Sequence, residues 1–256
     1  MKLRLDQLMA NKQLVSSRSQ AESWIKLGKV TVDGKVITKP GFFASADADV
    51  RLKADEQYVS RAGLKLASVA RVLQLDFADK VVLDIGSSTG GFTDFALRRG
   101  AHLVIAVDVG TEQLHPSLRG NPRIDLHEKT DIRALRHISK KPADDPIEQV
   151  AEYIHEVPDI AVMDVSFISL RELLPHIFKY LCRPQTQIVA MLKPQFEAGK
   201  DQVNKGIIKN DTVRRQILKD FEAWVKPRAI IVDKADSEVA GSKGNRERFY
   251  LLRPIA

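Results

Sequence analysis

A single cysteine, Cys182, in 256 residues rules out an internal disulfide and any zinc or iron–sulfur site built on several cysteines, and it fits a reducing compartment. A buried thiol at a helix end is its expected state. Long apolar runs are also missing. None approaches the roughly 18 residues of a membrane helix, and the strongest, such as 188–192, is strand length. The first thirty residues alternate charges with single apolar side chains and build no apolar core of a secretion signal. With no long amphipathic barrel pattern and no internal repeat, these absences speak against direct pore formation and stable membrane association, and predict a cytoplasmic protein. What is present is ordinary globular composition, 44% hydrophobic and 29% charged, at a length suited to one or two domains. Forty basic against thirty-three acidic residues leave +7, which mildly favours a polyanionic partner.

The first 55 residues read as a helix-helix-hairpin unit. Leu3, Leu5 and Leu8, then Ala21, Trp24, Ile25 and Leu27, carry helical spacing. Ser17 or Ser19 can cap the second helix and Gly28 can end it. Two β-branched runs about Asp33-Gly34 predict a tight hairpin, and 50–52 a further short strand. A unit this small leans on the rest of the chain for its stability. Its many basic residues are either an RNA face or a solvated surface, and charge alone does not separate the two. The string "RLDQLMANKQLVSSRSQAESWIKLGKVTVDGKVITKP" resembles the RNA-binding module of ribosomal protein S-four. The resemblance implies RNA contacts at Arg4 and Arg18, at the starts of the two helices, and at Lys26, Lys29 and Lys39.

Residues 56–60 read as an interdomain linker, with Gln57 to Val59 placed to relay RNA binding to the next domain. From 61 to 256 a helix, 61–75, is followed by apolar strand-length runs alternating with helical stretches: 81–85, 103–109, 123–126, 160–165, 188–192 and 229–232 as strands, 92–98, 170–181 and 212–225 as helices. This alternation predicts an α/β fold with a mostly parallel sheet covered on both faces. The last run, 249–252, reads as an antiparallel edge strand, and 140–146 as a loop of disordered character.

In such a sheet the ligand site lies beyond the carboxyl ends of the strands. The first end carries Asp84, then the turn Gly86, Ser87, Ser88, Gly90, Gly91, Phe92 and Thr93. Its glycines allow a tight turn and close approach, and the exposed amides of a helix start can meet polar or anionic groups. The spacing is not G-x-G-x-x-G, which disfavours a nicotinamide cofactor and a dehydrogenase. Asp108 and Val109, some twenty residues on, suit a nucleoside whose ribose bonds a carboxylate. Together turn and carboxylate look like the S-adenosylmethionine site of the Rossmann-like methyltransferases. Further strand ends carry Asp131, Asp164 and Lys193, the last at an apolar strand end where a casual surface charge is out of place. A structural salt bridge of Lys193 with Asp164 is the bland alternative.

With Lys65 and Glu247 these form a lysine-aspartate-lysine-glutamate set. The sequence resembles the TlyA group, named both for hemolysin A and for ribosomal RNA 2'-O-methyltransferase, whose catalytic domain is similar to FtsJ. The match rests on "YVSRAGLKL", "DIGSSTGGFTD", "AVDVGTEQLHPSLR", "EKTDIR", "MDVSFISL", "LKPQFEAGK" and "GNRERF". It implies methyl transfer from S-adenosylmethionine to a ribose 2'-hydroxyl in ribosomal RNA, in this family on cytidine, with ribosomal RNA or a ribosomal subunit as partner. Asp84 and the Gly86–Thr93 turn would hold the methionine part, Asp108 the ribose and Asp131, where asparagine is common in the family, the adenine. A ribose hydroxyl is a poor nucleophile, so a positioned base is needed. Lys193 is the candidate base. Lys65 would disfavour a second ammonium beside it, Asp164 would favour one while orienting the amine, and Glu247 would orient Lys65 or the ribose. No metal is required, since the sulfonium supplies the leaving group and no histidine–cysteine cluster offers ligands. Two other readings stay open: a membrane-active hemolysin, and a non-catalytic RNA-binding or ribosome-assembly factor.

Overall fold

A computed structural model describes residues 2–15, 17–53, 58–140, 152–199, 206–208, 210–241 and 244–255. The chain opens with β1 (Lys2–Arg4), α1 (Leu5–Asn11), α2 (Arg18–Lys26), β2 (Val30–Val32), β3 (Lys35–Val36), β4 (Phe43–Ser45) and β5 (Val50–Leu52). The Ser17 side chain caps α2 by accepting from the Gln20 amide, and Gly28 follows it with φ +68°. Asp33 and Gly34 both take positive φ, the twist that lets a two-residue turn join β2 to β3. Strands β3, β2 and β5 form one small sheet. The first helix starts later than its apolar spacing predicts. Leu3 belongs instead to β1, which pairs with β4, because side chains two apart suit a strand as well as a helix end.

The larger unit runs α3 (Arg61–Ala70), β6 (Val81–Ile85), α4 (Gly91–Arg98), β7 (Leu103–Val107), β8 (Ile124–His127), β9 (Leu135–His137), β10 (Glu152–Ile154), β11 (Ile160–Met163), α5 (Leu170–Tyr180), β12 (Gln187–Leu192), α6 (Pro194–Glu197), α7 (Asp211–Val225), β13 (Ala229–Asp236) and β14 (Arg248–Pro254). Seven strands make the central sheet in the order β13-β14-β12-β11-β6-β7-β8. Those from β12 to β8 are parallel, and β14 is antiparallel to both its neighbours. The expectation of an edge strand at 249–252 is corrected here. The strand is antiparallel but lies inside the sheet, and β13 is the edge. Its four consecutive buried residues, Phe249 to Leu252, are the run of a strand covered on both faces. The short parallel pair β9–β10 had no signal in the sequence. Of the loop expected at 140–146, and of the linker at 56–60, residues 141–146 and 56–57 lie outside the described residues.

Alternating residues of β6, β7, β11 and β12 feed two apolar layers. Val82, Val104, Val162 and Val189 face one, and Leu83, Ile105, Ala161 and Ile188 the other. The first layer continues through Leu64, Leu66 and Tyr58 to Trp24, Ile25, Leu5 and Met9, so the apolar core runs unbroken from the large unit into the small one. The Gln20 side-chain amide closes the seam, donating to the Tyr58 carbonyl at 2.8 Å. Cys182 is buried just after α5, and burial pushes its thiol up to about 12.

Candidate active site

Register places the chemistry. Met163 lies opposite Ile85, and Leu192 opposite Arg248. The residues one step beyond these pairs are Asp164 beside Gly86, and Lys193 beside Glu247. Lys65 arrives from α3, whose N-terminus Ser60 caps by accepting from the Ala62 amide.

Two adjoining clefts open along this edge. The larger, about 560 Å³, is lined by Lys65, Asp164, Lys193 and Glu247 together with Phe92 and Asn245. The smaller, about 390 Å³, is lined by Asp108, Val109 and Asp131 with Ile132, Val165 and Leu173. Gly86, Ser88, Asp164, Ser166 and Phe167 line both. The four predicted catalytic side chains therefore share one hollow, and it meets the predicted cofactor cleft.

Within the hollow the charges are paired. Lys193 Nζ lies 2.6 Å from an Asp164 carboxylate oxygen and donates to Ser166 Oγ at 2.8 Å. Lys65 Nζ lies 2.6 Å from Glu247, with the two side chains 6% and 3% exposed. A buried ammonium is tolerated only when paired. The salt bridge of Lys193 with Asp164 is thus present, and both residues nevertheless line the hollow. This arrangement can orient an amine at a bound hydroxyl and hold a second cation nearby.

The glycine-rich turn divides its labour. At Gly86, with φ +80°, a Cβ would come 2.9 Å from the Asp164 carbonyl, so no side chain fits where the two strand ends converge. At Gly90 a Cβ would meet Leu118 at 2.5 Å, and at Gly91 Ser60 Oγ at 2.3 Å. It is protein, not open ligand space, that comes close at these two. Asp108 accepts from the Ser88 and Gly110 amides at 2.8 and 2.7 Å. Each carboxylate oxygen keeps a second lone pair. Asp131 caps the turn after it, and the hydrogen-bonded Arg133 guanidinium holds its carboxyl below the usual range.

Asp84 lies beneath the cleft floor, wholly buried, and accepts from Thr93 Oγ1 at 2.6 Å. Its other oxygen has no hydrogen-bond partner among the described residues. Burial pushes this carboxyl up to about 7, with Asp164 and Asp108 adding repulsion. Ser87 is buried in the same turn.

Sequence reasoning missed Ser166, Phe167, Gln113 and Asn245. Phe167 is 91% exposed, has φ +65° and packs against Phe196 at 5.2 Å between ring centres. An aromatic three residues past a strand-end aspartate was a usable signal. Gln113, which accepts from Ser88 Oγ at 2.9 Å, gave none.

On the small unit, Arg4 and Arg18 both bind one buried carboxylate, Asp6, at 2.9 and 3.0 Å. Burial works to raise that carboxyl, and the two arginine hydrogen bonds outweigh it and hold it low. The guanidiniums remain about half exposed. Lys26 pairs with Glu22 at 3.8 Å, and Lys29 and Lys39 are exposed.

Comparison with known proteins agrees with this architecture. The family model described as FtsJ-like methyltransferase matches residues 58–253, and that of the S4 domain residues 3–50. The 16S/23S rRNA (cytidine-2'-O)-methyltransferase TlyA of Mycobacterium tuberculosis is 35% identical over 254 residues, covering 98% of this chain and 89% of its own. Hemolysin A of Brachyspira hyodysenteriae is 36% identical, covering 96% and 97%. A solved structure from Streptococcus thermophilus, described as a candidate hemolysin, superimposes with a TM-score of 0.69 at 35% identity, covering 99% and 88%. No helix among the described residues is long and apolar enough to cross a membrane. The chain belongs to the FtsJ-like methyltransferase family, in the group that carries an N-terminal S4 domain and includes TlyA and hemolysin A.

Proposed function

We propose that this protein transfers a methyl group from S-adenosylmethionine to a cytidine ribose 2'-hydroxyl of ribosomal RNA, in the cytoplasm. The observation that carries the reading is the hollow in which Lys65, Asp164, Lys193 and Glu247, from four elements, converge against the smaller cleft. The residues of that cleft fit the cofactor. Asp108, fixed by two amides, has lone pairs left for ribose hydroxyls, the slot between Ile132, Val165 and Leu173 is apolar, and Asp131 can accept from an adenine amino group. When bound, S-adenosylmethionine supplies an electrophilic methyl on a sulfonium.

The protein supplies position and a proton acceptor. Asp164 and Ser166 fix the Lys193 amine at the junction of the clefts, where its neutral form takes the hydroxyl proton. Lys65, held by Glu247, places a donor near the developing alkoxide. Residues 1–55 form the RNA-binding unit and 61–256 the catalytic unit, joined by 56–60. Arg4, Arg18, Lys26, Lys29 and Lys39 contact RNA phosphates, which orient the substrate without reading its sequence.

The test is transfer of radiolabelled methyl to unmodified large and small ribosomal subunits and to free ribosomal RNA, with Lys193→Ala beside the parent. Incorporation at a nucleotide that resists alkaline cleavage, lost in the variant, is the expected result. Cofactor binding without incorporation into any of these RNAs would leave a non-catalytic RNA-binding or assembly factor in its place.

A further inference from the structure

Lys193 sits at the start of the short segment α6, and Asp164, Ser166 and Phe167 belong to the loop that leads into α5. Nothing covalent fixes these two segments to each other. At the far end of α6, however, Glu197 turns back toward the first residues of α5. One of its carboxylate oxygens accepts from the Leu170 amide at 2.7 Å, and the other from Ser169 Oγ at 2.7 Å. Arg171 Nε lies 3.5 Å away, and the Glu197 side chain is 2% exposed. Leu170 and Arg171 are the first residues of α5, whose N-cap is Ser169. Between the Glu197 contacts and the Lys193 contacts lies the packing of Phe196 on Phe167. The two segments are thus fastened at three points in a row, and Glu197 is the one farthest along α6 from Lys193.

We infer that Glu197 is a positioning residue for methyl transfer: by tying α6 to the start of α5 it sets the placement of Lys193 against Asp164 and Ser166. The inference rests on the proposed function for its chemistry and on the contacts of Glu197 for its geometry. Burial pushes the Glu197 carboxyl up, so an uncharged side chain of the same shape suits the site. Glutamine keeps an oxygen for the Leu170 amide and offers its own N–H to Ser169 Oγ, whereas alanine removes both links. The remaining wall of the cofactor cleft, built from Gly86, Asp108 and Asp131, stands on elements that Glu197 does not touch.

Glu197→Ala is therefore expected to lower kcat by about tenfold to a hundredfold, the scale of a small misplacement of a catalytic group, while the KM for S-adenosylmethionine changes less than about threefold. Its kcat–pH profile should shift as Lys193 loosens from its partners. Glu197→Gln should return both kcat and the profile to near the parent's, and Ser169→Ala, which removes one of the two Glu197 links together with the side-chain cap on the Arg171 amide, should lose activity but keep the Leu170 link. A kcat for Glu197→Ala within threefold of the parent's overturns the inference, as does a Glu197→Gln variant as impaired as the alanine one. Amide hydrogen exchange gives an independent reading that needs no activity. The Leu170 amide and those of 195–198 should exchange at least tenfold faster in Glu197→Ala with α7 unchanged, and unchanged exchange there also overturns the inference. If the parent itself methylates no ribosomal RNA, the functional reading falls and the exchange measurement alone decides whether Glu197 fastens the two segments.

Discussion

Replacing Asp84 by asparagine tests whether a carboxyl under the cofactor cleft is held near neutrality by burial. The side chain is wholly enclosed, with one oxygen bonded to Thr93 and the other without a partner among the described residues. Its folded-state pKa, about 7 against an ordinary 3.8, lies above the unfolded value. The group therefore favours the folded state fully below pH 3.8, and that contribution is lost as pH rises through 7. Each unit of pKa difference is worth about 1.4 kcal/mol, which makes the whole loss about 4 kcal/mol. Roughly 2–3 kcal/mol of it falls between pH 5 and pH 8. Asparagine is nearly isosteric, can accept from Thr93 and does not titrate. Urea unfolding of parent and Asp84→Asn at pH 5, 6, 7 and 8 should show the variant gaining on the parent by about 2–3 kcal/mol across the series. Groups common to both proteins cancel in the difference. A stability difference flat with pH would refute the reasoning and place the Asp84 pKa in the ordinary range.

Removing one member of the buried Lys65–Glu247 pair should be costly in a different way. Glu247→Ala leaves the Lys65 ammonium enclosed without its partner and should destabilise by about 3–5 kcal/mol, read by chemical denaturation, while Lys65→Met combined with Glu247→Leu should recover most of that stability but none of the methyl transfer. Gly86→Ala forces a Cβ to within 2.9 Å of the Asp164 carbonyl at φ +80°. About 1–3 kcal/mol of destabilisation is expected, with weaker S-adenosylmethionine binding by calorimetry. Arg4→Ala and Arg18→Ala should each reduce the slope of log affinity for ribosomal RNA against log salt by about one, measured by filter binding at several salt concentrations.

Much of this was legible because the relevant physics is local. Strand ends are marked where an apolar run stops, and Asp84, Asp164 and Lys193 each stand at such a stop. The Asp33-Gly34 turn and the Ser17 cap follow from one or two residues. What was not legible depends on register between distant segments. The run at 249–252 announces a buried strand but not which neighbours it joins, so its interior place was missed. Lys65 and Glu247 could be named only through a family likeness, since no spacing links residue 65 to residue 247. Arg4 and Arg18 were visible as cations, but their common anchor on Asp6 was not, because the α1–α2 crossing that joins them is tertiary.

The interior position of β14 bears on how the molecule comes into being. Glu247 immediately precedes this strand, the last of the sheet in chain order, and β14 must enter between β12 and β13 after both have been made. During synthesis every other member of the Lys65, Asp164, Lys193 and Glu247 set emerges first, yet Lys65 gains its counterion only when the final strand slots in. Competence to react is thereby tied to completion of the sheet. A chain cut short before Arg248 would leave two unpaired strand edges, a surface that invites association with other chains.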